Sequence, residues 1–353
     1  MTSLLARDGY YVAYAICANS GGTDLTAWDN AQAALIVGEL NAMDWFYSAN
    51  ITHTKPKTRN INPMTAGHYP KRIQTGRYRG VLSTTHYLQT GILTYAVMGA
   101  CTTTEATPNT HAITKQTDED PIFLAFHYEK EGTNSNRRKD IMGFVPLGLD
   151  ITVSEQDTIA MQTFNGEFAF TGAGSDLAQP TALTQAAHAP YTWFNYKNAS
   201  GASAFTYNSG AINVDIISAE MHIGWSGTLF GTYDNDGYPT EGWIVPPFDS
   251  YVTLSVRSTD AAGTAIETIS DLAHGSYAGD LDFICDFYES ATRYLKFTWD
   301  KMYIDPESLV EEFRDEGSWF DGLTFTLRFK DENSSLAVEE KNALNNDYYE
   351  NPA

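Results

Sequence analysis

Ser48-Ala49-Asn50-Ile51-Thr52-His53 and Ser218-Ala219-Glu220-Met221-His222-Ile223 decide how this chain is read, because it says nearly the same thing in both places. Three further pairs follow in the same order. Gly67-His68-Tyr69-Pro70 is answered by Asp236-Gly237-Tyr238-Pro239, Phe126-His127-Tyr128-Glu129 by Asp286-Phe287-Tyr288-Glu289, and Phe164-Asn165-Gly166-Glu167-Phe168 by Phe320-Asp321-Gly322-Leu323-Thr324-Phe325. The offsets of 170, 169, 160 and 156 residues fall slowly, as small deletions between two copies of one unit would make them.

Working outward from each match, the spacing predicts strand, polar excursion, strand, one helix, then more strands. Leu88, Ile92, Leu93, Ala96, Val97 and Ala100 have the period of a helix packed on a sheet, and Ile266, Ile269, Leu272 and Ala273 repeat it within 261–273, where Thr259 and Asp260 are N-cap candidates. Apolar runs follow at 122–126, 141–151 and 164–170 in the first copy, and at 281–285, 295–299 and 323–329 in the second. The last alternates strictly, as a strand with one buried face does. The segment 25–40 suits a short helix or a buried strand, and its periodicity does not choose between them.

The expected division is an N-terminal segment (1–44), a first β domain (45–175), a linker with lead-in strands (176–210), a second β domain (211–330) and a polar acidic tail (331–353). The length of 353 residues accommodates two domains of ordinary size. A hydrophobic fraction of 42% is ample for packed cores, and 21 Tyr and 18 Phe favour strands.

Charge narrows the functions. With 22 Lys and Arg against 44 Asp and Glu, the net charge of −22 opposes nucleic-acid binding through the overall field. Such acidity suits either repulsion of DNA or a high-salt medium. Against this background, no acid occurs between Asp44 and Glu105, while Lys55, Lys57, Arg59, Lys71, Arg72, Arg77 and Arg79 crowd the first excursion. Its counterpart, 224–247, has Asp234, Asp236 and Glu241 and no basic residue. These ten residues are the candidate contacts between copies of the chain; a solvated hairpin is the plain alternative for the basic stretch.

Signatures of chemistry are missing. The eight histidines form no metal-binding helix motif, and the acids at 305–317 read as a short helix or exposed loop. In Tyr233-Asp234-Asn235-Asp236-Gly237, taking Gly237 as the sixth position of a calcium loop puts Thr232 first and Trp243 twelfth, so both key carboxylates are lacking and a hairpin turn fits better. No nucleophile elbow, P-loop or dinucleotide fingerprint occurs. Cys17, Cys101 and Cys285 follow no metal spacing and read as free thiols. We therefore expect no enzyme, metal or cofactor. The N-terminus has no secretory pattern and no apolar run approaches a membrane span, which leads us to expect a soluble protein made in a cytoplasm.

The strand, excursion, strand and helix order over 48–100, and its second occurrence over 218–275, resembles the major tail tube proteins of long-tailed viruses of bacteria and archaea. The resemblance covers about 45–330. It implies a mainly β protein of two tandem sandwich- or barrel-type units, each with one flanking helix, whose inner strands close into a β-barrel channel on oligomerisation. It implies stacked homo-oligomeric rings in a virion tail, other tail proteins at the tube ends, and viral DNA passing without specific binding. The basic excursion matches the element that reaches the adjacent ring. Duplication favours three chains per ring with pseudo-sixfold symmetry, with six as the alternative. A carbohydrate-binding or adhesive virion protein, using Trp193, Tyr196, Trp225 and Trp243 as sugar platforms, is the rival reading.

Overall fold

A computed structural model describes residues 10–16, 45–54, 57–61, 73–118, 120–130, 138–157, 159–173, 190–193, 205–232, 238–258, 264–275, 279–312 and 322–343. These residues are mainly β: sixteen strands form one large antiparallel sheet, and two more form a separate ladder. The segment 25–40, most of the linker and the helix-cap candidates Thr259 and Asp260 lie outside the described residues.

In the first half, β1 (Tyr10–Ile16), β2 (Trp45–Thr54), β5 (Gly80–Tyr87), β8 (Leu124–Lys130), β9 (Arg138–Ser154) and β10 (Met161–Ala173) run in the spatial order β10, β5, β2, β1, β8, β9. Because β10 also pairs β9, hydrogen-bonded ladders link these six strands in a circuit. The basic excursion between β2 and β5 is itself an antiparallel hairpin, β3 (Lys57–Ile61) and β4 (Ile73–Tyr78), outside the large sheet. Helix α1 (Ile92–Met98) and the hairpin of β6 (Gly99–Thr104) and β7 (Asn109–Lys115) precede β8.

The second half contains β11 (Phe205–Tyr207), β12 (Gly210–Ala211), β13 (Val214–Phe230), β14 (Gly242–Ser258), α2 (Thr264–His274), β15 (Leu281–Ser290), β16 (Arg293–Glu312), β17 (Gly322–Phe329) and β18 (Ser335–Asn342). Its ladders β13–β14, β14–β17, β17–β16, β16–β15 and β15–β11 repeat the succession β2–β5, β5–β10, β10–β9, β9–β8 and β8–β1. The irregularities recur too. In the β8–β9 ladder the register slips between Leu124 and Phe126, opposite Phe144 and Ile141; in β15–β16 it slips between Leu281 and Phe283, opposite Met302 and Trp299. Each slip contains one residue with positive φ, Gly143 (61°) and Lys301 (56°), the left-handed conformation that one type of β-bulge uses. The slip at Ser48/Asn50 in β2 recurs at Ile216/Ser218 in β13. These ladders place Ser218 opposite Asn50 in the scheme and Phe325 opposite Phe164, displacing two of the sequence matches by two and five residues.

The two halves share one sheet because β9 lends the upper part of its edge to β13, from Ser154↔Ser218 to Gly148↔Gly224. The sheet as a whole is not closed into a barrel; β12 at its far end does not return to β10 among the described residues. Alternation sets the core. Along β15, Leu281, Phe283, Cys285 and Phe287 are buried, and Leu295, Phe297 and Trp299 of β16 face them. All seven residues of α1 are buried, none is charged, and Gly99 at φ 92° ends the helix by donating its N–H to Tyr95 O. Trp225 of β13 donates from Nε1 to Val97 O at 2.7 Å, fixing the helix against the second half. On α2, Ile269 and Ala273 are buried while Glu267, Asp271 and His274 are exposed, the single-sided pattern read from the sequence.

Two expectations change. The expected tail includes β18, which lies between β16 and β7 and buries Leu336, Val338, Glu340 and Asn342. Its polar inward positions have partners: Glu340 Oε2 accepts from Gly91 N–H at 2.8 Å, and Asn342 Oδ1 lies 3.1 Å from His111 Nε2. The acidic run after Asp305 continues β16 as far as Glu312 instead of forming a helix or loop.

Candidate lining and assembly surfaces

The side of the sheet turned away from the core carries the candidate surface. Along β5, β10, β9, β13, β14 and β17 buried positions largely alternate with partly exposed ones, and cross-strand register aligns the latter in rows that end on β17, where Thr326 is itself buried. One row runs Thr85, Thr163, Asp150, His222, Tyr251 and Arg328. The next runs Tyr87, Met161, Thr152, Glu220, Thr253 and Thr326, and a third runs Ser154, Ser218, Ser255 and Thr324. Hydroxyls dominate, and they satisfy one another across strands. Thr85 and Thr163 oxygens lie 3.0 Å apart, Thr253 and Thr326 oxygens 2.9 Å apart, and Thr324 Oγ1 donates to Ser255 Oγ at 3.3 Å.

Two arginines of these strands, Arg257 of β14 and Arg328 of β17, are held by carboxylates. Arg328 Nε donates to Asp305 Oδ2 at 3.0 Å and its guanidinium lies 4.9 Å over the Tyr251 ring. Arg257 reaches Asp215 at 3.1 Å and Glu155 at 3.2 Å. Burial, reinforced by the negative charges of Asp150 and Glu220, pushes the Tyr251 phenol above its ordinary value and keeps it neutral. Among the described side chains of these rows the arrangement offers many short polar contacts, and its arginine, Arg328, is already engaged by Asp305.

The β9–β13 seam crosses the middle of this surface. His222 Nδ1 lies 2.6 Å from Asp150 Oδ1, and the His222 ring stacks on Tyr251 with centroids 4.7 Å apart. Glycines meet at the seam's end: a Cβ on Gly224 would sit 2.9 Å from Leu147 O, so the close approach of these strands requires glycine there. A second link joins the halves nearby, where Thr228 of β13 donates to the Glu167 carboxylate of β10.

Among the candidate contacts named from the sequence, Lys57 and Arg59 lie on β3 and Arg77 on β4, so three of the basic residues share one hairpin. Lys55, Lys71, Arg72, Asp234 and Asp236 lie outside the described residues. Arg79 is half exposed but is engaged within the chain, donating from Nε to Glu167 Oε2 at 2.7 Å and from Nη2 to the other oxygen. Glu241 is half-buried at the end of the β13–β14 hairpin, where its carbonyl accepts from Gly231 N–H at 3.0 Å. The hydroxyl-rich surface was missed in the sequence, because each strand shows only isolated Ser and Thr until register sets them side by side.

The aromatic residues named for sugar stacking are differently placed. Trp225 is only 8% exposed and packs edge-on to Phe248 at 5.1 Å, Trp193 packs against the core, Trp243 is half-buried, and Tyr196 lies outside the described residues. Cys285 is buried and Cys101 half-buried, both as free thiols, and Cys17 lies outside the described residues. Among the described residues no three His, Cys, Asp or Glu side chains gather to hold a metal ion, and no helix is long and apolar enough to cross a membrane. No protein-family model matches the chain, and no curated protein matches its sequence.

Proposed function

We propose that this chain is a tail tube protein of a long-tailed virus, built as two tube-type β units that assemble into stacked rings through which viral DNA passes. The observation that carries this reading is the hydroxyl-rich side of the sheet, which runs from β5 across the β9–β13 seam to β17 with Arg257 and Arg328 neutralised by carboxylates. A surface for passing a polyanion must be wet and offer phosphate no fixed cation. Hydroxyls meet the first condition by exchanging hydrogen bonds with water, and the paired arginines meet the second.

In this reading the sheet curves around the channel with that side inward, and neighbouring units extend it until its edges are gone. Three chains supply six units to a ring; six chains per ring is the alternative. The β3–β4 hairpin, with Lys57, Arg59 and Arg77, reaches the adjacent ring and meets the acidic residues Asp234, Asp236 and Glu241. Other tail proteins cap the tube, and the protein acts without catalysis or cofactor. The adhesive reading loses support from the inward packing of Trp225.

Electron microscopy of the purified protein over a range of concentration and salt tests the proposal. Rings or tubes with a central channel are expected. A protein that stays monomeric at high concentration, without rings in any condition, overturns it.

A further inference from the structure

The β9–β13 seam joins one half of the chain to the other, and the same joint has an unused pair of ends. Register identifies them. Thr324 on β17 pairs Ser255 and Val310, as Thr163 on β10 pairs Thr85 and Asp150, so Val310 of β16 takes the place of Asp150. On the other side, Thr54 pairs Val81 as His222 pairs Tyr251, and the shared slips make Asn50 equivalent to Ser218 and Thr54 to His222. In the seam, Asp150 and His222 are directly opposite each other.

Both equivalent edges lack a ladder among the described residues. The ladder that β15 makes on that edge of β16 ends at Met302, and the described part of β1 begins at Tyr10, opposite Ser48 of β2. Val310 is 54% exposed, one of three large apolar side chains so placed among the described residues. An unpaired strand edge carrying an exposed valine invites another strand.

We infer that β16 of one chain pairs antiparallel with β2 of a second copy, repeating the internal seam between chains, with Val310 opposite Thr54, Glu311 opposite His53 and Glu312 opposite Thr52. The contact is head-to-tail, because the edge given and the edge received differ, and head-to-tail contacts close into rings when the rotation permits. The joint rests on the ladders alone; that three chains close the ring rests on the assembly proposed above.

Paired cysteines test it. Directly opposite residues of an antiparallel pair have Cα atoms about 4.5–5.5 Å apart, within disulfide reach. In a background of Cys17→Ser, Cys101→Ser and Cys285→Ala, the Thr54→Cys/Val310→Cys chain is expected to oxidise into covalent species of two and three chains and no longer. Each single variant should remain uncrosslinked, and Thr54→Cys/Glu312→Cys, two residues out of register, should crosslink far less. A second in-register pair, Thr52→Cys/Glu312→Cys, guards against one variant failing to fold, and circular dichroism checks each. Folded in-register variants that stay uncrosslinked overturn the joint. A series ending at six chains overturns the three-chain ring. Rings seen by microscopy without these crosslinks would spare the tube reading and sink the joint; crosslinks without stacked rings would do the reverse.

Discussion

The halves of this chain agree in their frame and differ in what hangs from it. Ladder order, bulges and single helix recur, yet the first half sends out a separate β3–β4 hairpin where the second simply prolongs β13 and β14. Conversely a single strand, β10, runs along β9 with one register shift at Asn165/Gly166, whereas β17 and β18 cover β16 in two pieces with 330–334 between them. The difference teaches that the sheet register is the constrained part. Ladder bonds and alternate-face burial fail together when a strand slips by one residue, whereas a hairpin inserted between paired strands disturbs neither.

The largest expected effect tests whether the frames are equally important. Phe164 and Phe325 hold equivalent places and both are fully buried. Phe164→Ala and Phe325→Ala are each expected to cost about 3–5 kcal/mol in chemical denaturation. A cost confined to one of them would break the equivalence.

A smaller effect of opposite sign is expected at the matched bulges. Lys301 adopts the left-handed region that Gly143 occupies without a side-chain penalty. Lys301→Gly is expected to raise stability by about 0.5–1 kcal/mol, and Gly143→Ala to lower it by about 1–2 kcal/mol. Equal signs for both changes would show that the bulges are not alike.

The smallest effect depends on pH and concerns the second half alone. Burial raises the Asp286 carboxyl above its ordinary value; Lys296, directly opposite it, pulls it down in part, and Glu339 beyond Lys296 pushes it up. A carboxyl raised on folding stabilises most below its unfolded value, and that contribution is lost as pH rises through the folded value. Asp286→Asn is therefore expected to raise the melting temperature at pH 7, with the gain shrinking toward pH 4. A gain that grows on acidification would contradict this account.

Much of the frame was legible in the sequence because it rests on local periodicity. The buried stripe of α1, the single-sided α2 and the alternation of β17 are written in consecutive residues. What escaped depends on partners distant in the chain. Glu340 and Asn342 look like solvent-facing residues until Gly91 and His111 are brought to them, so β18 read as a tail. Pro306, Glu307, Glu311 and Glu312 disguise a strand whose register is held by Ser308, whose Oγ accepts the Thr326 N–H at 2.8 Å. Of the candidate contact residues, Lys57, Arg59 and Arg77 are close enough in sequence to be read as one excursion, the β3–β4 pair, but the sequence had no means of showing Arg79 spent on Glu167, 88 residues away.

The course of β18 has a consequence for how the molecule comes apart. This strand leaves the second half and pairs β7 of the first, while β9 pairs β13 in the opposite sense of exchange. Each half thus holds a piece of the other, and neither can melt without stripping a ladder from its neighbour. Local opening is therefore expected to be coupled across the chain, with both halves melting in a single cooperative transition.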